Sequence, residues 1–509
     1  MAASQPRIIT KLLERRQIEA DLRNMTEATS DLELRRQAQE IAASDEILPA
    51  IVGNLDKADA QLLAAMGIVA TYLEPAKAVW ALRQAVLGSN LSDQGRLAAM
   101  TILERFLGQP PDDELLGSLN DPKGLAVASL EEMLEEAERN PTILVQYVES
   151  MDRQEPDVVL GVVASLRNPG DPSVVLPESR SAIEPLRLMA QDVREEIAAA
   201  ALDALGDIQL PEAARALQTL IPGLAPSLQP QAERLLRKLQ FTGVSVEPLP
   251  RPDPGWRALI GPPSAFGQRS VWFITGEEGE AHARFLNVLL HDQAGAVRAV
   301  GHDPVPSLML PPERPAGYLH DIVLPDGSGS LLMVEAAFDV GRRLVLEALA
   351  ENRRTQIPVA GSLRLLSPWL WGVGGTDEIP ARSLPNVGDS RQLAMDAARL
   401  LEHPALAGWT LRSEAIVREA EEFARHPGRQ VQPRVRHLIG ELFSSPEAVE
   451  VFRQRLTAMS EWFLLAGDEP ASKHALAVAQ EIVGSPGQQP VVQALVRRDL
   501  ERMIHSLSE

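Results

Sequence analysis

Three His-Asp dipeptides, His291-Asp292, His302-Asp303 and His320-Asp321, carry the residue types best suited to chemistry in this chain. A histidine beside a carboxylate can bind a metal ion or move a proton near neutral pH. The first two pairs fall at the ends of short apolar runs. If Asp292 to Gly295 forms a hairpin turn, His291 faces roughly position 296 and His302 roughly position 285. That register holds the two rings far apart along one ladder. Polar residues at strand ends ordinarily serve the turn, and that reading ranks first. The chain has no cysteine, and its nine histidines are scattered. None forms a His-x-x-x-His or Glu-x-x-His pair that would put two ligands on one helical face. No metal, cofactor or catalytic residue is therefore assigned.

Other candidates have bland counterparts. The loop Gly372-Val373-Gly374-Gly375-Thr376 has the glycines of a phosphate cradle but lacks the lysine of a P-loop. No Gly-x-Ser-x-Gly elbow supports a hydrolase triad. Glu131, Glu132 and Glu135, with Glu136 and Glu138, form an acidic patch that could dock a basic partner; a solvated helix face is the simpler reading. Trp369 and Trp371 lie in the apolar run Leu363 to Trp371. On an extended chain, alternate residues share a side, so both rings would line one pocket or interface. Core anchoring is the ordinary role of tryptophan and ranks ahead of that.

The elements that would position these residues change along the chain. Residues 1–242 read as helix after helix. Val193, Ile197, Ala201, Leu205 and Ile208 recur at helical spacing opposite Arg194, Glu195 and Glu196. Gly206 is expected to end that helix in the left-handed conformation, and Pro211 to open the next. The stretch Asp192-Val193-Arg194-Glu195-Glu196, Ala198 to Ala201, Ala204-Leu205-Gly206-Asp207-Ile208 and Pro211-Glu212-Ala213 resembles a HEAT repeat, closest to the short bacterial type also seen in phycobilin lyases. Leu62 to Leu73 with Pro75 to Leu87 forms another candidate hairpin. Leu97 to Gly108 opens a third, with Asp93 as its expected cap. Met66-Gly67 and Leu107-Gly108 lie about one repeat period apart. The resemblance implies a right-handed stack of five or six hairpins, since one hairpin cannot bury its apolar face alone. Asn168 to Glu178 is expected to be a loop between repeats.

After Phe241 the period shortens. Trp256 to Ile260, Val271 to Thr275, Ala283 to Leu290 and Ala296 to Gly301 alternate with Gly/Pro/Asp turn clusters, which predicts an antiparallel meander. A proline-rich loop spans Pro304 to Pro315. Leu331 to Arg354 is predicted as one long helix over the sheet, with Val334, Phe338, Leu344 or Val345, and Leu349 as its contacts. Ser445 is expected to cap a helix running from Pro446 to Gly467, and a last helix carries Val492, Val496, Leu500, Met503 and Leu507. The expected fold is mainly α. A HEAT-like α-solenoid occupies 1–242, a small α+β domain with an antiparallel sheet 243–375, and a helical bundle 388–509.

Composition bounds the function. The chain has 509 residues, a net charge of -21 and only 4% aromatic residues, and its pI is about 5.0. Two thirds of the excess negative charge lies in residues 1–242. Such a surface repels phosphate backbones and anionic lipids, so nucleic acid is not an expected partner. No apolar run approaches the roughly 18 residues of a membrane span. Charged residues interrupt the N-terminus where a secretory signal needs an apolar core, so the expected location is the cytoplasm. The excess of arginine over lysine points to a GC-rich bacterial genome. The leading function is a non-enzymatic protein-interaction or assembly module that uses the repeat surface, with protein partners of unstated identity. The alternative is a small-ligand binder or enzyme with its site in the central α+β domain.

Overall fold

The structure is a computed structural model that describes residues 5–25, 31–120, 133–134, 136–137, 139–167, 180–253, 255–276, 281–323, 329–374, 380–411, 413–426 and 431–508. It is mainly helical, with one antiparallel six-stranded sheet in the middle of the chain. No helix among the described residues is long and apolar enough to cross a membrane. The chain divides into two compact units, Met1–Glu132 and Met133–Glu509.

The described part of the first unit is helical. α1 (Gln5–Asn24), α2 (Asp31–Ala42), α3 (Ile47–Asn54), α4 (Ala60–Ala70), α5 (Pro75–Leu87), α6 (Asp93–Arg105) and α7 (Asp113–Leu116) follow one another. Asp59 caps α4 by accepting from Leu62 N at 2.8 Å. Pro75 opens α5, where its missing N–H costs nothing. The cap of α6 is Ser92, not Asp93. Asp93 is diverted because its carboxylate accepts from Asn120 N at 2.9 Å and from Arg96 Nη1 at 3.1 Å. Leu62, Met66, Val69, Leu82, Val86, Ala99, Ile102 and Leu103 share one core.

The second unit opens with α8 (Thr142–Met151), α9 (Pro156–Arg167), α10 (Ile183–Met189), α11 (Glu195–Asp207), α12 (Pro211–Leu220) and α13 (Gln229–Phe241). Val193, Ile197, Leu202 and Leu205 are buried as their spacing requires. Gly206 corrects the sequence reading. It lies inside α11, which runs on to Asp207, and its φ is not positive. A Cβ there would meet Leu235 Cδ2 at 2.4 Å, so glycine permits the close approach of α13. The expected loop at Asn168 to Glu178 lies outside the described residues.

The sheet consists of β1 (Arg257–Ile260), β2 (Gln268–Thr275), β3 (His282–His291), β4 (Gly295–Pro306), β5 (Leu319–Val323) and β6 (Ser330–Ala337), in the order β4-β3-β2-β1-β6-β5. The four expected strands are present. The expected helix over Leu331–Arg354 is not: Ser330–Ala337 is strand β6, and helix α14 begins at Phe338 and ends at Thr355. β6 lies between β1 and β5, and its side chains are buried on both faces. Val334 and Ala336 join the main core, while Met333 joins a second cluster on the reverse face. A strand covered on both sides loses the polar alternation that distinguishes it from a helix. α14 then crosses the main-core face. Gly341 lets it sit close, because a Cβ there would meet Phe273 Cε1 at 2.6 Å.

The remaining elements are α15 (Gly361–Leu366), α16 (Pro368–Trp371), α17 (Ser390–Asp396), α18 (Glu414–Arg425), α19 (Val431–Leu442), α20 (Pro446–Leu465), α21 (Glu469–Glu481) and α22 (Pro490–Ser508). Ser445 caps α20 by accepting from Ala448 N at 3.1 Å. These helices share one core with the sheet. Trp462 Nε1 donates to Ile260 O at 2.8 Å, and Trp409 Nε1 to Pro263 O at 2.8 Å. The helices before the sheet are joined to α15 by buried charge. Arg364 Nη2 reaches the Asp152 carboxylate at 2.9 and 3.1 Å. Arg187 Nη1 donates to Arg364 O and to Ser367 Oγ, both at 2.9 Å.

Candidate functional site

Helical spacing sets two facing walls of a cleft in the second unit. Leu344, Glu347, Ala348 and Glu351 line one side of α14, at steps of three and four residues. Gln454, Arg455, Ala458 and Glu461 line the opposing side of α20. The β1–β2 loop at Pro263 and Gly267, the end of β3 at Leu290 and His291, the turn residue Asp292, and Arg382 complete the lining. The cleft is open to solvent on one side and has a volume of about 300 Å³.

Carboxylates in this cleft are paired. Arg455 Nε meets Asp292 Oδ2 at 2.6 Å, and its Nη1 donates to Ala265 O at 2.6 Å. Arg354 Nε donates to Glu351 Oε2 at 2.8 Å. Glu347 is bound by Arg343, which also bonds Glu461. Arg382 Nε lies 3.1 Å from the other Glu461 oxygen. Glu461 is itself buried, so two guanidiniums offset its desolvation.

Arg269 differs from these. It stands on β2 two residues from Val271 and four from Phe273, so the strand period points it to the core face. It is 8% exposed and lines the cleft. Its Nη2 donates to Ala458 O at 3.0 Å. No carboxylate lies within 4.0 Å of it among the described residues, and its Nε and Nη1 have no protein acceptor there. Burial pulls its pKa down to about 10, with the Glu461 charge opposing the shift. It remains a cation at neutral pH.

The sequence candidates are dispersed. His291 reaches the cleft, pairs with Gly295 across the hairpin, and accepts from Gln293 N through Nδ1 at 3.0 Å. His302 pairs with Phe285 at the far end of the same ladder and is exposed. His320 is buried on β5, with Nε2 2.6 Å from Glu335 Oε2, and Arg257 holds the same carboxylate at 2.9 Å. No group of three metal-ligating side chains occurs among the described residues. Glu131, Glu132 and Glu135 lie outside the described residues.

The tryptophan pair is corrected. Pro368–Trp371 is helical, not extended. Residues two apart on a helix diverge by about 200°, so the rings point apart. Trp371 is buried with Arg342 Cζ 5.2 Å from its ring centroid. Trp369 is half-buried beneath Arg284, whose Cζ lies 4.7 Å from its ring. Neither lines the cleft.

Sequence reasoning missed Arg269 and Arg455. The available signal was Arg269 in phase with Val271 and Phe273 on one strand face, where an unpaired charge is unusual. No family model, curated protein or solved structure matches this chain.

Proposed function

We propose that the protein is a non-enzymatic interaction or assembly module whose HEAT-like helical hairpins bind a protein partner in the cytoplasm. The observation that carries this reading is Trp80, 66% exposed on α5. Leu87 lies two helical turns on, on the same face, and is also exposed. A solvent-facing tryptophan is unusual in a chain with seven, and tryptophan is enriched among residues that dominate binding energy. The packing order supports the HEAT-like description: α11 touches α9, α10, α12 and α13, its neighbours on either side in the chain. Fold analogy alone does not give function, so the test is direct. The tagged full-length chain and its Trp80→Ala variant are purified from native cells and their co-purifying proteins compared. A specific partner depleted at least tenfold with the variant supports the reading. An identical set from both, or none from either, counts against it.

The second reading is a small-ligand site in the sheet region. It is favoured by the cleft above, where Arg269 has no carboxylate partner among the described residues.

A further inference from the structure

Four carboxylates line the cleft, Asp292, Glu347, Glu351 and Glu461, and each already has a guanidinium. Arg343, Arg354, Arg382 and Arg455 supply those pairings, which leaves Arg269 without a bonded carboxylate among the described residues. A buried cation without a bonded counter-charge is costly, and among the described residues only the more distant charges of Glu461 and Glu347 act against that cost. The free donors of Arg269 open into a space large enough for a small organic molecule. Beside it lie the apolar side chains of Leu290, Leu344 and Ala348.

We propose that this cleft binds a small monocarboxylate with a short apolar body, its carboxylate on the Arg269 guanidinium. The single spare charge sets the ligand charge at one. A dianion would face the four surrounding carboxylates with Arg269 as the one cation among the described lining residues that lacks a bonded carboxylate. A planar guanidinium fork matches the two oxygens of a carboxylate, which gives orientation as well as attraction. The apolar body would lie against Leu290, Leu344 and Ala348. This proposal rests on the small-ligand reading and is independent of Trp80.

Ligand-observed NMR with the full chain tests it, using hexanoate, inorganic phosphate and hexylamine as separate probes. Saturable hexanoate binding is expected, weakened at least tenfold by Arg269→Met and unchanged by Arg284→Gln, which lies outside the cleft. Gln454→Trp, at an exposed position on the cleft wall, should weaken it as well and does not disturb the buried arginine. Hexanoate binding equal in wild type and both cleft variants would overturn the proposal. Preferential binding of phosphate or hexylamine, sensitive to Gln454→Trp, would overturn the carboxylate class and leave the small-ligand reading standing. Binding of none of the three would overturn both.

Discussion

Arg269 occupies a strand position that packing alone would give to an aliphatic residue. Its folded pKa of about 10 lies well below the ordinary guanidinium range, so folding is penalised while the group is charged. That penalty is complete below about pH 10 and is relieved only as the pH rises above it. Arg269→Met should therefore leave the urea midpoint at pH 7–8 unchanged or raise it, although the bond to Ala458 O is lost. A large fall in the midpoint would assign Arg269 a structural role. His403 behaves differently. Burial depresses its pKa, and the nearby Asp468 opposes the shift. Its Nδ1 accepts from Ala405 N at 3.1 Å, a bond that the protonated ring cannot accept. The unfolded chain thus binds the proton more readily, and stability should fall as the pH drops through 6.5. His403→Gln should flatten that dependence in denaturation curves taken from pH 7.5 to 5.

At the scale of elements, two contacts position the cleft. Asn352, fully buried on α14, accepts from Ala296 N at 2.7 Å and donates to Ala294 O at 2.9 Å, which fixes the turn that carries Asp292. Asn352→Ala leaves buried backbone groups unpaired and should cost about 1–3 kcal/mol by chemical denaturation. A change under about half a kcal/mol would mean that the turn holds itself. Among the helices before the sheet, Leu205 is 0% exposed on α11. Leu205→Ala should cost about 2–5 kcal/mol, the range for a buried leucine that leaves a cavity. A surface-sized effect would contradict the packing of α11 between its neighbours.

At the scale of the molecule, the helices Thr142–Phe241, the sheet and the C-terminal helices lie in one compact unit. Buried charges tie them together: Arg364 is 0% exposed and its carboxylate partner is Asp152. A fragment of residues 133–509 keeps that pair, whereas a fragment of 243–509 strips Arg364 of its counter-charge. Losing one partner of a buried pair costs on the order of 3–5 kcal/mol. The shorter fragment should therefore melt well below the longer one or aggregate. Equal melting temperatures in calorimetry would show that the sheet and the C-terminal helices fold independently of the helices before them.

What was legible in the sequence was local. The 3.6-residue period of Ile197, Ala201 and Leu205, the turn residues before Gly295, and the Ser445-Pro446 start signal each fix an element from its own neighbours. The strand register that separates His291 from His302 came from the turn alone. Other features depended on distant residues. Leu331–Ala337 has no polar alternation because β1 and β5 flank it and both of its faces are covered. Gly206 faces Leu235, and Gly341 faces Phe273, contacts that no local pattern announces. Trp369 and Trp371 diverge because Pro368 opens a helical turn where an extended run was expected. The cleft is the clearest case. Its charges come from β2, the β3–β4 turn, Arg382, α14 and α20, nearly two hundred residues apart at the extremes. That Arg455 pairs with Asp292 while Arg269 is left with a backbone carbonyl was decided by tertiary packing, because only the folded chain brings these groups within bonding distance.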